Sequence, residues 1–402
     1  MLRRVLLIVA LSLVAGIASG QRYSHTTRDG DTFSYSYTPI DQTYDTTTSG
    51  RGFGRSLSRY LSHGFSGPSG TPRFVLFGGP GYSNDTGWRL SLFGSMSYLH
   101  GRYATPSTLS LTAAASLTGY YRIALAGSNP LGRHRLDYQA SFHSMPTYFW
   151  GIDYATASGD SRGSYTSREL SVDLDYGYAL TSRLSVGAAV RYRNTSARNM
   201  DSYTTAALGN ESHHLSLFGL GLGLSYDSRD SRANSTRGLY VAAAALIYPQ
   251  PFGTARHTLY QASLTFDYFQ PLWRGATLCF DLYGEAHSAD TPWLACAELG
   301  DNSRMRGYYP GRFRGERLLT AQLELRQHIV YGLGLAAWGG YGMLHSHGDK
   351  LSWHSLLPTY GIGLRWGMGN GSGGDNSGAI LRLDLGFGRH SHTFTLGLSQ
   401  AF

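Results

Sequence analysis

Lysine is almost missing from this chain of 402 residues: of its 34 basic residues, only Lys350 is not arginine. Cysteine is scarce too, with two residues, which excludes a disulfide-built scaffold. Beyond residue 20 no apolar run approaches the roughly 18 residues of a membrane helix, and that excludes a helical membrane protein. Charged residues make up only 15% while aromatics reach 13%, a balance that excludes both a disordered chain and a coiled coil. A nucleophile elbow, a His-Glu-x-x-His helix and paired acids at a pocket are all missing, so the chain reads as non-enzymatic. A rim enzyme with Ser and His facing lipid is the remaining catalytic alternative. There is no nucleic-acid motif and no basic helix.

What is present is glycine (52), tyrosine (29) and a mean hydropathy of −0.23, which suit many strands with two different faces. Met1 to Gly20 reads as a cleaved secretory signal peptide, with Arg3 and Arg4 before an apolar core and Ala18-Ser19-Gly20 after it. Its removal changes the formal charge from +8 to 8 − 2 = +6. Residues 21–85 are Ser-, Thr-, Tyr- and Gly-rich without a sustained period, and read as a flexible periplasmic or lumen-lining arm.

From 86 to 402 the period is two. Leu170, Val172, Leu174, Tyr176 and Tyr178 alternate with Glu169, Ser171, Asp173 and Asp175. Leu184 to Arg193 repeats the pattern, and Leu381, Leu383 and Leu385 alternate with Arg382, Asp384 and Gly386. Sixteen such segments are expected, starting near 86, 107, 119, 133, 147, 168, 183, 212, 238, 256, 275, 316, 333, 356, 378 and 392. That is roughly 20 residues per strand and connection, against roughly 9–11 needed to cross a bilayer. Short connections (181–182, 271–274) alternate with long ones (195–211, 288–315), as in outer-membrane barrels. The expected fold is all-β: a sixteen-stranded antiparallel transmembrane β-barrel, closed because an open edge in hydrocarbon is too costly.

Several segments carry finer readings. Gly219, Gly221 and Gly223 alternate with leucines, so they belong to a strand and not to a nucleotide loop; small inward residues there would leave room for a folded-in loop. Cys279 is expected to face the lumen and Cys296 to lie on a loop dipping inside. A bridge between them is one reading and two solitary buried thiols the other. His345, His347, His354, His390 and His392 gather near extracellular strand ends without a supporting carboxylate pattern, so neither a metal nor a cofactor is expected. The last strand is expected to place Phe394, Leu396, Leu398 and Phe402 outward, where a terminal aromatic resembles the targeting signal of outer-membrane barrels.

The segment LGDNSRMRGYYPGRFRGERLL, residues 299–319, resembles the inward-folded sixth loop of the BamA/TamA-type assembly-factor superfamily, the bacterial surface-antigen barrels. Its core is Arg306-Gly307-Tyr308. The run 225–240 is similar to the family's Asp-x-Arg-Asp…Gly turn through Asp227, Arg229, Asp230 and Gly238. The strand after the loop resembles the family's Glu-x-Arg strand through Glu324 and Arg326. FGGPGYSNDTGW and MPTYFWGIDY look like family landmarks as well. The resemblance implies an extracellular loop folded into the lumen and latched there, with Glu324 the first inward carboxylate for Arg306 and Asp384 the second. The family's Asp on strand thirteen is replaced by Gly340. Family members carry periplasmic POTRA modules, for which 21–85 is too short. The resemblance therefore implies a barrel-only assembly or translocation factor in the bacterial outer membrane, in contact with lipid and lipopolysaccharide. It further implies client barrel proteins and a separate periplasmic partner. A passive channel, receptor or surface antigen is the alternative.

Overall fold

The computed structural model describes residues 21–26, 32–37, 73–83, 87–98 and 107–402, the last range without 153, 232–233, 302, 331, 346–354, 368–379, 390 and 399. The signal segment therefore lies outside the described residues. Strands β1 (Gln21–Thr26) and β2 (Thr32–Tyr37) pair with each other alone. Within the expected arm, the β-forming Tyr, Thr and Ser residues on both sides of Asp29-Gly30 were a hairpin signal that outweighs the absence of a longer period.

Sixteen strands make one antiparallel sheet. They are β3 (Arg73–Ser83), β4 (Gly87–Tyr98), β5 (Ser107–Ser116), β6 (Tyr121–Leu131), β7 (His134–Phe149), β8 (Gly163–Ala179), β9 (Leu184–Arg198), β10 (His214–Asp227), β11 (Gly238–Tyr248), β12 (Leu259–Pro271), β13 (Ala276–His287), β16 (Arg317–Val330), β17 (Leu333–His345), β18 (Leu357–Gly367), β19 (Ile380–Gly388) and β20 (Ser391–Leu398). Each pairs with its neighbour in sequence, and β13 pairs with β16 across a small hairpin of β14 (Ala297–Leu299) and β15 (Phe313–Gly315). Two short helices, α1 (Tyr154–Ala157) and α2 (Ser202–Leu208), sit in long connections.

The number sixteen agrees with the sequence reading, but two boundaries need correction. The barrel sheet starts at Arg73 rather than 86, so β3 had been assigned to the arm. Its sequence RFVLFGGPGYS is apolar on both faces and then turn-like, so no period shows. Pro80 falls on β3, which stands at one end of the strand order among the described residues, where proline is tolerated. Conversely, the segments near 133 and 147 are one strand of 16 residues, β7. Pro146 stands opposite Thr166 on β8, beyond the end of the ladder to β6 at Ser144, so on that side its missing N–H breaks no ladder bond.

The alternation read in the sequence sets the two faces. Leu174 and Tyr176 are exposed outward and Ser171 is buried inward; Leu222, between two glycines, is 72% exposed. Such an apolar outer surface is stable only against lipid. At the long-loop end, β7, β8 and β9 run to 16, 17 and 15 residues, well beyond a bilayer's need. There, buried aromatic clusters close over the lumen, one around Phe149, Tyr165 and Trp293 and another around Trp150, Tyr308 and Phe313. The nearest neighbours of Gly219 and Gly221 are residues of β11 and not the folded-in loop. A side chain at Gly219 or Gly221 would meet Tyr248 or Leu246 of β11.

Candidate functional site: the latched luminal loop

The segment between β13 and β16 folds back inside the sheet and touches strands from both of its halves. Arg306 is the centre. Met305, at φ 50°, and Gly307, at φ 128°, flank it, and these two left-handed positions drive its side chain down between β16 and β19. A Cβ on Gly307 would stand 2.6 Å from the backbone of Phe387, and one on Gly386 would stand 2.6 Å from the Arg306 carbonyl. Loop and strand are thus in backbone contact, and only glycines permit it.

The guanidinium is fully buried and bonded on two sides. Its Nη2 donates to Glu324 Oε2 and its Nη1 to Asp384 Oδ2 at 2.8 Å. Its planar face lies 3.7 Å from the Trp338 ring centroid. The residues expected to form the latch (Arg306, Gly307, Tyr308, Glu324 and Asp384) are therefore brought together. Asp384 supplies the carboxylate that Gly340 cannot. A side chain at Gly340 would collide with the Ala321 carbonyl and with Gln322, so an Asp there would need the β16 backbone to shift.

The loop's main chain is held as firmly as its charge. Thr359 Oγ1 donates to the Arg306 carbonyl at 2.6 Å, and Ser391 Oγ donates to the Gly307 carbonyl. Tyr308 donates to the Pro358 carbonyl at 2.6 Å and accepts from the Arg389 N–H at 2.8 Å. These contacts fall on β18 and on the β19–β20 turn, so the loop grips the last hairpin of the sheet. Higher up, Arg312 donates to the carbonyls of Ala157 and Gly159 at 3.0 and 3.1 Å, capping the C-terminus of α1. Arg314 pairs with Glu298 at 2.6 Å and donates to Tyr165 of β8. The MPTYFWGIDY landmark also meets the loop, through tilted ring contacts of Trp150 and Tyr148 with Tyr309. Arg304 adds a second ion pair, 2.7 Å from Asp281 and 3.9 Å from Asp267, beneath a lid formed by Tyr283.

Sequence reasoning missed Trp338, Arg365, Asp267 and Asp281. All four are inward positions of alternating strands, and a polar or aromatic residue on the small, Gly-rich inner face of β17 or β18 was the available signal. The Asp227, Arg229, Asp230 and Gly238 turn is a separate knot at the short-turn end. Arg229 is bidentate to Asp227 at 2.9 and 3.1 Å, and Asp230 accepts from the N–H groups of Thr236 and Arg237.

One open reading closes and one placement differs from expectation. Cys279 and Cys296 are both free, the reading of two solitary thiols. Cys279 sits opposite Glu324, eight positions down β13 from His287, whereas Cys296 lies in the cap beyond that strand's end. The separation far exceeds disulfide reach, and burial pushes the Cys296 thiol up to about 12. Phe402 does not lie on the outward face with Phe394. Strand β20 ends at Leu398, and Phe402 turns in: its carbonyl accepts from Arg326 Nη2 at 2.9 Å and its ring lies beside Phe269. The inner guanidinium offers an acceptor-seeking, cation–π partner that the lipid face does not. Phe394 is exposed as expected; the side chains of Leu396 and Leu398, with His347, His354 and His390, lie outside the described residues.

These features define a class: a transmembrane β-barrel whose longest loop is latched inside its own lumen. Residues 86–400 match the family model described as the Omp85 superfamily domain, so the chain belongs to that superfamily of outer-membrane assembly and translocation barrels. Among solved structures it is similar to BamA from Haemophilus ducreyi lacking POTRA domains 1–3, with TM-score 0.54 and 12% identity over 98% of this chain and 77% of that one. It is also similar to CdiB from Escherichia coli (TM-score 0.52, 13% identity, 97% and 67%). CdiB from Acinetobacter baumannii gives TM-score 0.50 and 11% identity over 94% of this chain and 63% of that one. At these identities the likeness is one of fold. No curated protein matches the chain.

Proposed function

We propose that this barrel assists the insertion or translocation of outer-membrane or surface proteins, working from the outer membrane after removal of its signal peptide. The observation that carries the reading is the grip of the loop on the final hairpin. Arg306 joins Glu324 on β16 to Asp384 on β19, and Gly307 and Tyr308 brace the β19–β20 turn. Strand β20 is one end of the sheet and β3 the other, so the latch acts beside the seam where a client strand would add. Client capture falls to a separate periplasmic partner. No step of this role involves bond chemistry.

The experiment is client folding into liposomes that contain the purified barrel. Insertion is expected to run faster than into empty liposomes, and to slow in a folded Arg306→Ala variant beyond its loss of folded barrel. A rate equal to that of empty liposomes would refute the proposal. A second reading, a passive channel, draws on the polar wall of β7 to β9, where Arg191 meets Asp173 and Asp175 on a solvated surface. Steady, selective conductance in planar bilayers would favour it.

A further inference from the structure

Around the latch, cations outnumber anions. Four guanidiniums, those of Arg306, Arg326, Arg365 and Arg382, surround two carboxylates, Glu324 and Asp384. Arg326 Nε lies 2.7 Å from Glu324 Oε1. Arg365 Nη1 lies 2.5 Å from Asp384 Oδ1, and its Nη2 is 3.5 Å from Glu324 Oε2. Arg382 Nη1 is 3.5 Å from Asp384 Oδ2. Among these side chains, four minus two leaves a surplus of two positive charges on groups that do not deprotonate.

The surplus is buried. Arg326, Arg365 and Arg382 are 6%, 4% and 4% exposed. Arg365 and Arg382 also stand directly opposite each other in the ladder between β18 and β19, a like-charge pairing that is destabilising by itself. Five guanidinium nitrogens of the cluster are buried without a hydrogen-bond acceptor among the described residues: Arg306 Nε, Arg326 Nη1, Arg365 Nη2, and Nε and Nη1 of Arg382. Protein groups meet only part of this demand: Gln400 Oε1 accepts from Arg365 Nε at 3.0 Å and a Phe402 main-chain oxygen from Arg326 Nη2 at 2.9 Å. Of the neighbouring acids, Asp281 pairs with Arg304 at 2.7 Å and Asp267 stands 3.9 Å from it.

We infer that Arg326, Arg365 and Arg382 form a binding site for an oxyanion of the phosphate class at the short-turn end of the lumen, beside the folded-in tail. Guanidinium forks on the inner faces of β16, β18 and β19 match the several acceptor oxygens of a phosphate, and a bound anion removes the like-charge conflict between Arg365 and Arg382. All three arginines lie within a few residues of the short-turn ends of β16, β18 and β19, so the ligand enters from that side. The same chemistry is offered by free phosphate and by a phosphate-bearing lipid headgroup of the adjoining leaflet.

The test is calorimetric titration of the purified full chain in detergent with inorganic phosphate at fixed ionic strength. Saturable one-to-one binding is expected, weakened at least about tenfold in Arg382→Gln and in Arg326→Gln. Arg382→Lys should fall between, and Arg191→Gln, on the solvated wall, should bind as wild type. Heat-dependent gel mobility establishes that each variant is folded, and the lysine variant serves if the glutamine variant is not. Titration with phosphatidylglycerol vesicles, with phosphatidylcholine as control, separates the sources. Binding of inorganic phosphate alone identifies a free anion, and binding only from phosphatidylglycerol identifies a headgroup. No saturable binding of either, or equal binding by wild type and both glutamine variants, overturns the site.

Discussion

The two sides of this barrel use the same alternation for opposite ends. Along β7 to β9 the inner wall carries Asp137, Asp173, Asp175 and Arg191, and these charges remain partly solvated. Along β12 to β19 the inner wall carries Asp267, Asp281, Glu324, Arg326, Arg365, Arg382 and Asp384, and every one is buried under the loop or the tail. Identical residue types are cheap to keep on the first side and demanding on the second. A charge in water needs no fixed partner, whereas a buried one does. The latched side is therefore where geometry is specified, and the solvated side is where the lumen stays open to water.

The sharpest way to break that contrast is to remove one carboxylate from each side. Glu324→Ala leaves Arg306, Arg326 and Arg365 competing for Asp384, and should cost about 3–5 kcal/mol in denaturant unfolding. Asp175→Ala on the solvated side should cost under about 1 kcal/mol. Equal losses would erase the distinction. Next comes Gly386→Ala, which forces the Arg306 carbonyl off β19; about 2 kcal/mol is expected, measured the same way, since the loop must retreat to admit a methyl. Trp338→Leu removes the ring face under Arg306 and leaves a smaller apolar side chain. It should cost about 1–2 kcal/mol more in wild type than in an Arg306→Met background, the difference separating the cation–π contact from the lost volume.

The smallest effect concerns pH. Asp201 caps α2 by accepting from the Thr204 N–H at 2.8 Å, and that bond holds its carboxyl below the usual carboxylate range. A folded value below the unfolded one means the stabilisation is complete above the unfolded pKa and is lost as pH falls through the folded one. Asp201→Ala should cost about 1 kcal/mol at neutral pH and nothing at pH values where the cap is already protonated. Hydrogen exchange over 202–208 at both pH values checks this.

Much of this architecture was legible because a barrel strand writes its two faces into every second residue. Glu324 and Asp384 were legible for the same reason, as full charges on inward positions that need a partner; Arg306, on a loop outside the alternation, was legible through the resemblance of its Arg-Gly-Tyr core to the family's loop. Where residues break the period, legibility failed. Gly-Gly-Pro-Gly hid β3, and Met145-Pro146 cut β7 in two. Phe402 was misplaced because alternation was carried past the end of β20, where the Arg326 guanidinium, a contact 76 residues away in sequence, decides its position. Trp338 and Arg365 were missed although each stands out on a small, Gly-rich inner face, because their partners, Arg306 for the first and Glu324 and Asp384 for the second, lie far off in sequence.

Hydrogen exchange of the loop in the folded wild-type barrel tests the central claim most directly. If residues 299–315 are latched to the wall as described, the amides of Gly307 and Tyr308 should exchange as slowly as the ladder of β16 to β19, and Arg306→Ala should release them selectively. Exchange of the wild-type loop at the rate of a solvated connection, unchanged by Arg306→Ala, would contradict the account.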